Sequence, residues 1–573
     1  MPVHNSDIAN IFKKTADLLE IKGDNPFRIR AYREAGRTVK NLSRSVRSFI
    51  ENNEKLTELP GIGKDLAGKI EEIAATGRLE FLENLEREFP SGLTDLMKVE
   101  GLGAKKVAKL YRELKIKNPE DLKKAVKSNR VSKLDGFGKK TEENIEKNLK
   151  ILSRYENRLR ISEVKNIAGP LMEYLKKSRE VIKLSQAGSY RRCRETSGDL
   201  DILALTGPES NIIERFLNYD DVERIIFRGK KKLSVVLEND FQVDLRVITS
   251  DSFGASLQYF TGSKSHNIAL RKLASKKGLK INEYGVFNDN DRRIAGKTEQ
   301  DLYSSVGLDY IAPELRENRG EIEAASESRL PRLITLNDIK GDLHMHTKKT
   351  DGHSTIEQLA RACLDAGYEY MAVSEHTRKV TVAGGLTPAE MSDWLLEIDR
   401  VNRNIHGIKI LKSGEVDILK DGSLDLPDEI LARMDVVTCS VHYNFNLSRE
   451  EQTRRILKAM ENPNFNILGH PSGRLINKRE PYEINMEEIL KKAFRENCFM
   501  ELNAHPARLD ITDIYAKRAK ELGVKIVIST DAHGVGELSN INYGINQARR
   551  GWLEKKDVLN TNNLAGLKTA LKK

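Results

Sequence analysis

Residues 337–573 repeat one pattern: a short apolar segment carries His, Asp, Glu or Asn at or near its C-terminal end, and a helical stretch follows. YMAVSEH (370–376), IKILKSGEVDIL (408–419), MDVVTCSVH (434–442), FNILGH (465–470), CFMELN (498–503) and VKIVISTDAH (524–533) are six such segments. Parallel strands need crossovers of a dozen or more residues, usually helical, and this alternation supplies them. Near-continuous apolar runs belong to strands covered on both faces. The pattern therefore predicts a parallel, barrel-like β/α sheet. In each segment the polar end is C-terminal, and the C-terminal strand ends of such a sheet converge on one mouth.

That mouth would collect a dense set of donors. GDLHMHT (341–347), TDGH (350–353), SEH (374–376), SGEVD (413–417), SVH (440–442), GHP (469–471), ELN (501–503) and STDAH (529–533) contribute to it. Nine of the eleven histidines lie at or after His344, so the skew itself points to metal binding in this part. His344 and His346 alternate by two and point one way, as do Asp531 and His533. Nitrogen and oxygen donors without cysteine suit Zn²⁺ or Mn²⁺.

Upstream, from about residue 185, the apolar period becomes two. DLDILAL (199–205), KLSVVLEND (232–240) and FQVDLRVIT (241–249) read as strands, with Asn239-Asp240 as a hairpin turn. Residues i and i+2 of a strand share a face, so Asp199 and Asp201 stand side by side and repel each other without a cation. Asp244, on a later strand, offers a third carboxylate. Hard oxygens suit Mg²⁺, and two such ions can align an attacking hydroxyl with a leaving pyrophosphate. In AGSYRR (187–192), Gly188 and Ser189 make a small polar turn for a triphosphate, and Arg192 can neutralise it.

Residues 1–155 read as short helices, with apolar residues at three- and four-residue spacing (Ile8, Ile11, Phe12, Leu18, Leu19). LPGIGKDLAGKI (59–70), VEGLGAKKVAKL (99–110) and LDGFGKKTEENI (134–145) repeat one theme. Gly61 and Gly63, Gly101 and Gly103, and Gly136 and Gly138 let backbone N–H groups approach a phosphate without a Cβ in the way. Each following helix N-terminus adds partial positive charge, and Lys64, Lys69, Lys105, Lys106, Lys139 and Lys140 add full charges. Residues 1–336 hold 62 Lys+Arg against 51 Asp+Glu, whereas the remainder balances at 34 and 34. The whole basic excess lies in the first part, where it favours a polyanion such as DNA.

The pattern GS…DLD…VD, followed by YFTGSKSHNIALRKLA (259–274), resembles the family X DNA polymerases, DNA polymerase beta among them. The resemblance covers residues 1 to about 317 and implies helix-hairpin-helix elements that grip the DNA backbone, then an α+β nucleotidyltransferase palm. It implies that Asp199, Asp201 and Asp244 carry the metals and that Gly188, Ser189 and Arg192 bind triphosphate. Tyr259, Phe260 and Gly262 would line the sugar, and Asn267 and Arg271 would face the nascent base pair. Gln242 and Lys264 depart from the family pattern beside the third aspartate and near the nucleotide. LPGIGKDLAGKIEE resembles the family's lyase segment, which puts Lys69 at a Schiff-base position with Tyr32 on the phosphate side. Asp65 departs from that pattern, replacing a supporting lysine.

The C-terminal signals resemble the PHP (polymerase and histidinol phosphatase) domain, a distorted seven-stranded β/α barrel with up to three metals. Its ligands would be His344, His346, Asp351 or His353, His376, Glu415, His442, His470, Asp531 and His533, with Glu375 behind them. The resemblance implies a gap-filling DNA-repair polymerase acting on gapped or nicked duplex with dNTPs. It further implies a 3′→5′ exonuclease or phosphoesterase, with AP endonuclease and 5′-deoxyribose phosphate lyase as further activities. The alternative is a PHP domain kept only as a scaffold. The expected domains are 1–90 (lyase-like), 91–155 (fingers-like), 156–250 (palm), 251–317 (thumb-like), 318–336 (polar linker) and 337–573 (PHP).

Composition narrows the setting. No apolar run approaches the ~20 residues that cross a bilayer, and the N-terminus lacks an apolar signal segment. Four scattered cysteines without a CxxC pair fit a reducing compartment. A cytoplasmic monomer with no membrane partner is the simplest expectation.

Overall fold

The computed structural model of the chain describes residues 5–40, 42, 46–52, 54–90, 92–97, 99, 102–139, 141–145, 158–207 and 210–571. These form two compact units, Met1–Asn157 and Arg158–Lys573.

The first unit is helical, and Phe12, Tyr32, Ile70, Val107, Leu110 and Phe137 share one core. Helix α1 (Lys64–Thr76) starts directly after extended Gly63 and stops at Gly77, which takes a left-handed conformation (φ 75°). It buries Leu66, Ala67, Ile70 and Ile73, one stripe at three- and four-residue spacing. Helix α2 (Ala104–Leu114) repeats the arrangement after Gly103.

The second unit begins with a five-stranded sheet. Strands β1 (Val181–Gln186), β2 (Asp199–Thr206), β3 (Val222–Arg228), β4 (Lys232–Leu237) and β5 (Gln242–Ile248) lie in the order β1-β2-β5-β4-β3. β2 and β5 are parallel neighbours, and β4 and β5 form the hairpin expected at Asn239-Asp240, with Asp240 at φ 62°. In β2, Leu200 and Ile202 enter the core while Asp199 and Asp201 take the opposite face. Helices α3 (Phe253–Thr261) and α4 (Lys264–Lys276) follow, with a small antiparallel sheet over 280–295.

The segment expected as a polar linker, 318–336, is packed in part, while Ser326 to Arg329 stay exposed. Helix α5 (Glu321–Ser326) buries Glu321, Ile322, Ala324 and Ala325, and Arg316 is fully buried. The charges are satisfied by partners remote in sequence: Arg316 pairs with Glu299 at 2.6 Å and Glu321 with His266 at 2.7 Å. Polarity alone does not reveal such pairing, which is why composition misleads here.

Seven parallel strands make the rest: β6 (Gly341–Asp342), β7 (Tyr370–His376), β8 (Lys409–Asp417), β9 (Val436–Ser440), β10 (Ile467–Leu468), β11 (Phe499–Asn503) and β12 (Ile526–Ser529), in sequence order. Beyond β6 and β12 the two outer segments meet: Asp531 N donates to His344 O at 3.0 Å and His346 N to Ala532 O at 2.8 Å. This nearly closes the barrel. Tyr370, Ala372, Leu411, Val436, Ile467, Phe499 and Val527 pack as one cluster with Leu567 and Leu571 of the C-terminal helix. Alternate residues of the same strands (Met371, Val373, Ile410, Val437, Leu468, Met500, Ile528) pack in the other cluster, with the surrounding helices. Burial of each such large apolar side chain contributes about 1.5–3 kcal/mol.

Candidate metal centres and nucleic-acid surface

In the five-stranded sheet the β2–β5 register pairs Asp199 with Gln242 and Asp201 with Asp244. The three aspartates therefore occupy neighbouring positions on one face. Asp201 is pushed up to about 7 by burial, then by Asp199 and Asp244. Asp199 is raised as well, by burial and Asp244. Buried carboxylates raised by their carboxylate neighbours, as Asp201 and Asp199 are, belong to a donor set fit for a divalent cation. Gln242 Nε2 donates to Asp244 Oδ1 at 3.1 Å, so the departure at Gln242 keeps a hydrogen bond to the third aspartate. Lys232 and Arg246 lie 3.8 and 3.9 Å from its other oxygen.

Gly188 has φ 63°, and a Cβ there would stand 2.5 Å from Asp201 Oδ2. Only glycine fits this approach of the Gly-Ser turn to the carboxylate. Ser189 Oγ meets Ser197 Oγ at 2.5 Å. Arg192 Nε lies 3.1 Å from Glu317 Oε1, and its Nη1 donates to Thr261 O at 2.5 Å. That carbonyl belongs to the turn carrying Tyr259, Phe260 and Gly262 (φ 69°), whose two rings pack edge to face. Asn267, expected at the base pair, uses both ends of its amide internally: Nδ2 donates to Tyr259 O at 2.7 Å and Oδ1 accepts from Gln258 at 2.8 Å. It braces the turn. Arg271 Nε donates to Asn267 O at 3.3 Å.

In the helical unit, Gly61 (φ 78°) and Gly136 (φ 82°) are left-handed turn residues. Gly63 and Gly103 immediately precede α1 and α2, placing Lys64, Lys105 and Lys106 in their first turns. Gly138 O accepts from Thr141 N and Glu142 N. The second and third repeats pack together: Lys109 Nζ donates to Asp135 O at 2.6 Å, and Lys106 sits 5.8 Å above the Phe137 ring. Gly101 and Lys140 lie outside the described residues. Lys69 pairs with Asp65 at 2.5 Å and lies 5.6 Å above the rings of Tyr32 and Phe81. Its amine is thus engaged in an ion pair where a Schiff base needs it open.

In three strands of the barrel, interior columns run from apolar to ligating residues. Tyr370, Ala372 and Ser374 lead to His376; Leu411 and Ser413 lead to Glu415; Val436, Thr438 and Ser440 lead to His442. His376 and Glu415 are register partners. Three donor groups form, each with ligand atoms within 4.8 Å: His346, Asp351, His376 and His533; His344, His346 and Asp531; and His376, Glu415 and His442. His470 Nε2 adds to the third, 2.7 Å from Glu415 Oε1. His346 stacks against both His376 and His533, with ring centres 4.4 and 4.5 Å away. Both its nitrogens and Nε2 of His344 are buried without an aligned hydrogen bond among the described residues. Burial and His376 push His346 down to about 3, which keeps it in the neutral form that ligates metal. Burial would lower His376, yet Glu415 and Asp351 raise it to about 10. Buried imidazole nitrogens that lack an aligned hydrogen bond and lie 3.3–3.9 Å from carboxylate oxygens fit divalent cations.

The sequence left Asp351 and His353 open. Asp351 Oδ2 lies 3.4 Å from Nε2 of both His376 and His533, whereas His353 is exposed and joins none of the three groups. Gly352 causes the difference: its N–H donates to Thr347 O and it packs against the His346 carbonyl, turning His353 outward. Glu375 accepts from Thr347 N at 3.0 Å and from Thr347 Oγ1 at 2.6 Å, and it also bonds Thr350, so it pins the loop that carries Asp351.

Sequence reasoning placed ELN (501–503) at the mouth but gave Glu501 no role in the ligand set. Its Oε1 pairs with His344 Nδ1 at 2.7 Å and its Oε2 accepts from the His470 backbone N–H at 2.6 Å, so it fixes the His344 ring and the backbone that carries His470. The signal was present, since Glu501 follows Phe499 by two on β11. Asp417 likewise holds His442 Nδ1 at 3.3 Å, and Arg508 reaches Asp531 at 3.4 Å.

A nucleotidyltransferase sheet with a thumb, followed on the same chain by a histidine-rich parallel barrel, defines a DNA polymerase joined to a metal-dependent phosphoesterase. Models of the DNA polymerase beta palm and thumb match residues 158–230 and 256–317. Helix-hairpin-helix models match 3–79 and 93–150, and the PHP domain model matches 342–505. The chain is 39% identical over 574 residues to the DNA polymerase/3′-5′ exonuclease PolX of Bacillus subtilis (strain 168), covering all of both chains. It is also 30% identical over 233 residues to a probable phosphatase of Thermoanaerobacter sp. (strain X514), covering 38% of this chain and 89% of that one. The chain belongs to the family X DNA polymerases of the PolX type, with a C-terminal PHP domain. It uses divalent metal and binds DNA, and no described helix is long and apolar enough to cross a membrane.

Proposed function

We propose that this chain fills short gaps in duplex DNA from dNTPs at the Asp199–Asp201–Asp244 face, and trims 3′ ends in the barrel mouth. The observation that carries the reading is the pair of separate donor sets on one chain: aspartates in strand register on β2 and β5, and histidines with Glu415 and Asp531 at the barrel's strand ends. Divalent cations, when bound, supply the Lewis acidity that both phosphoryl reactions need. We assign two Mg²⁺ to the aspartates and up to three Zn²⁺ or Mn²⁺ to the barrel, with Asp351 rather than His353 among its ligands.

The chain's own residues do the rest. Gly188 and Ser189 bring backbone N–H groups toward a triphosphate, and Arg192 offers it a guanidinium. Tyr259, Phe260 and Gly262 form the wall against the sugar, held by Asn267. The glycine turns and lysines of the helical unit hold the DNA backbone without reading sequence. A barrel segment with balanced charge relies on that basic part for its grip on DNA. In the barrel, Glu501 and Asp417 orient His344 and His442.

The test uses purified full-length protein on gapped DNA and on a duplex with a mismatched 3′ end. Gap filling with Mg²⁺ and dNTPs, and 3′ resection with Mn²⁺ or Zn²⁺, are expected. Metal bound stoichiometrically in the barrel without any resection would favour the scaffold reading.

A further inference from the structure

The thumb ends in a buried ionic cluster that the barrel completes. Glu317 lies 3.1 Å from Arg192 Nε, 3.6 Å from Arg194 Nη1 and 3.0 Å from Arg550 Nη1. Arg550 closes helix α6 (Ile541–Arg550) of the barrel, and its side chain is 4% exposed. Its Nη1 also donates to Arg192 O at 2.8 Å, and its Nη2 donates to Asp513 Oδ2 at 2.7 Å. Arg319 joins Asp513 at 2.9 Å. Four guanidiniums thus share two carboxylates, and the excess positive charge lies beside the turn of Thr261 and Gly262.

We propose that Arg550, a barrel residue, is a positioning residue for nucleotidyl transfer: it holds Glu317, and through Glu317 it sets how freely Arg192 can meet the triphosphate of a dNTP. The inference rests on the assignment of Arg192 to the triphosphate. Glu317 divides its charge between Arg192 and Arg550. Loss of Arg550 leaves Glu317 bound more tightly to Arg192 and removes one positive charge near the incoming anion, and both effects oppose dNTP binding. Loss of the Asp513 charge acts the other way. Arg550 then turns wholly to Glu317, Arg192 is released, and the local positive charge grows.

The experiment measures single-nucleotide insertion into gapped DNA by the full-length protein, with 3′ resection and thermal unfolding as controls for folding. Arg550→Met should raise the dNTP KM by about 3- to 30-fold, a span typical of coupled neighbours, with kcat little changed. Asp513→Asn should lower KM. In a Glu317→Gln background, Arg550→Met should add nothing. A structural role alone would raise KM in both single variants, and that result overturns the proposal. So does an unchanged KM in Arg550→Met, or an undiminished Arg550→Met effect in the Glu317→Gln background. Arg192→Met separates the two readings. If it leaves the dNTP KM unchanged, the triphosphate assignment falls and the inference with it. If it raises KM while Arg550→Met does not, only the inference falls. Should Arg550→Met fail to fold, Asp513→Asn still decides through the sign of its effect.

Discussion

Gly188→Ala tests the nucleotide site through one added methyl group. Gly188 adopts φ 63°, a conformation that costs an L-residue about 1–2 kcal/mol. The new Cβ would stand 2.5 Å from Asp201 Oδ2 and 3.5 Å from its Cγ. Restoring van der Waals separation requires Asp201 to move by about an ångström. The backbone cannot yield instead without losing the 2.8 Å bond from Ala187 N to Asp201 O. A misplacement of about 1 Å at a reacting centre costs about 100-fold in rate. Single-turnover insertion into gapped DNA should therefore fall by about two orders of magnitude, with a stability loss of about 1–3 kcal/mol. Resection of a mismatched 3′ end by the same preparation is the internal control and should be unchanged. Insertion within threefold of the parent would refute the argument that Gly188 gives Asp201 its place.

Further outcomes follow from the same geometry. Glu501→Gln replaces the carboxylate that holds His344 and should weaken metal binding in the barrel by about 10- to 100-fold in a competition titration, and an unchanged affinity would remove Glu501 from the site's support. Removal of Lys64 and Lys69, or of Lys105 and Lys106, should weaken DNA binding equally for all sequences and reduce the slope of log affinity against log salt by about one for each phosphate no longer neutralised; a sequence-selective defect contradicts a backbone-only grip. Glu299 and Glu317 sit at about 2 in the folded chain: burial would raise them, but neighbouring arginines hold them down from 4.5. Their folded values lie below the unfolded one, so the stabilisation is complete above pH 4.5 and is lost as pH falls toward 2, about 3 kcal/mol for each. Thermal unfolding should show that loss in the second unit, and a Glu299→Gln variant should show less of it.

What the sequence made legible was what depends on short spacing. The six strand ends led to the barrel because a period of two carries Tyr370, Ala372 and Ser374 to His376 on one face. Asp199 and Asp201 were readable for the same reason, and the glycine turns because a φ near 80° excludes most other residues. What was not legible depends on pairings across long stretches of chain. Glu317 and Arg550 meet across 233 residues, and Arg319 and Asp513 across 194. Residues 318–336 read as a linker because the partners of buried Glu321 and of Arg319, His266 and Asp513, lie elsewhere in the chain. The choice between Asp351 and His353 turned on a loop whose course Gly352 sets, and no periodicity governs a loop.

The proposed function places two chemically independent phosphoryl centres on one chain. It is tested most directly by assaying Asp244→Ala and His344→Ala side by side on one gapped substrate with a mismatched 3′ end. Asp244→Ala is expected to lose insertion and keep resection, while His344→Ala keeps insertion and loses resection. Loss of both activities in either variant, with its fold and DNA binding intact, would contradict it.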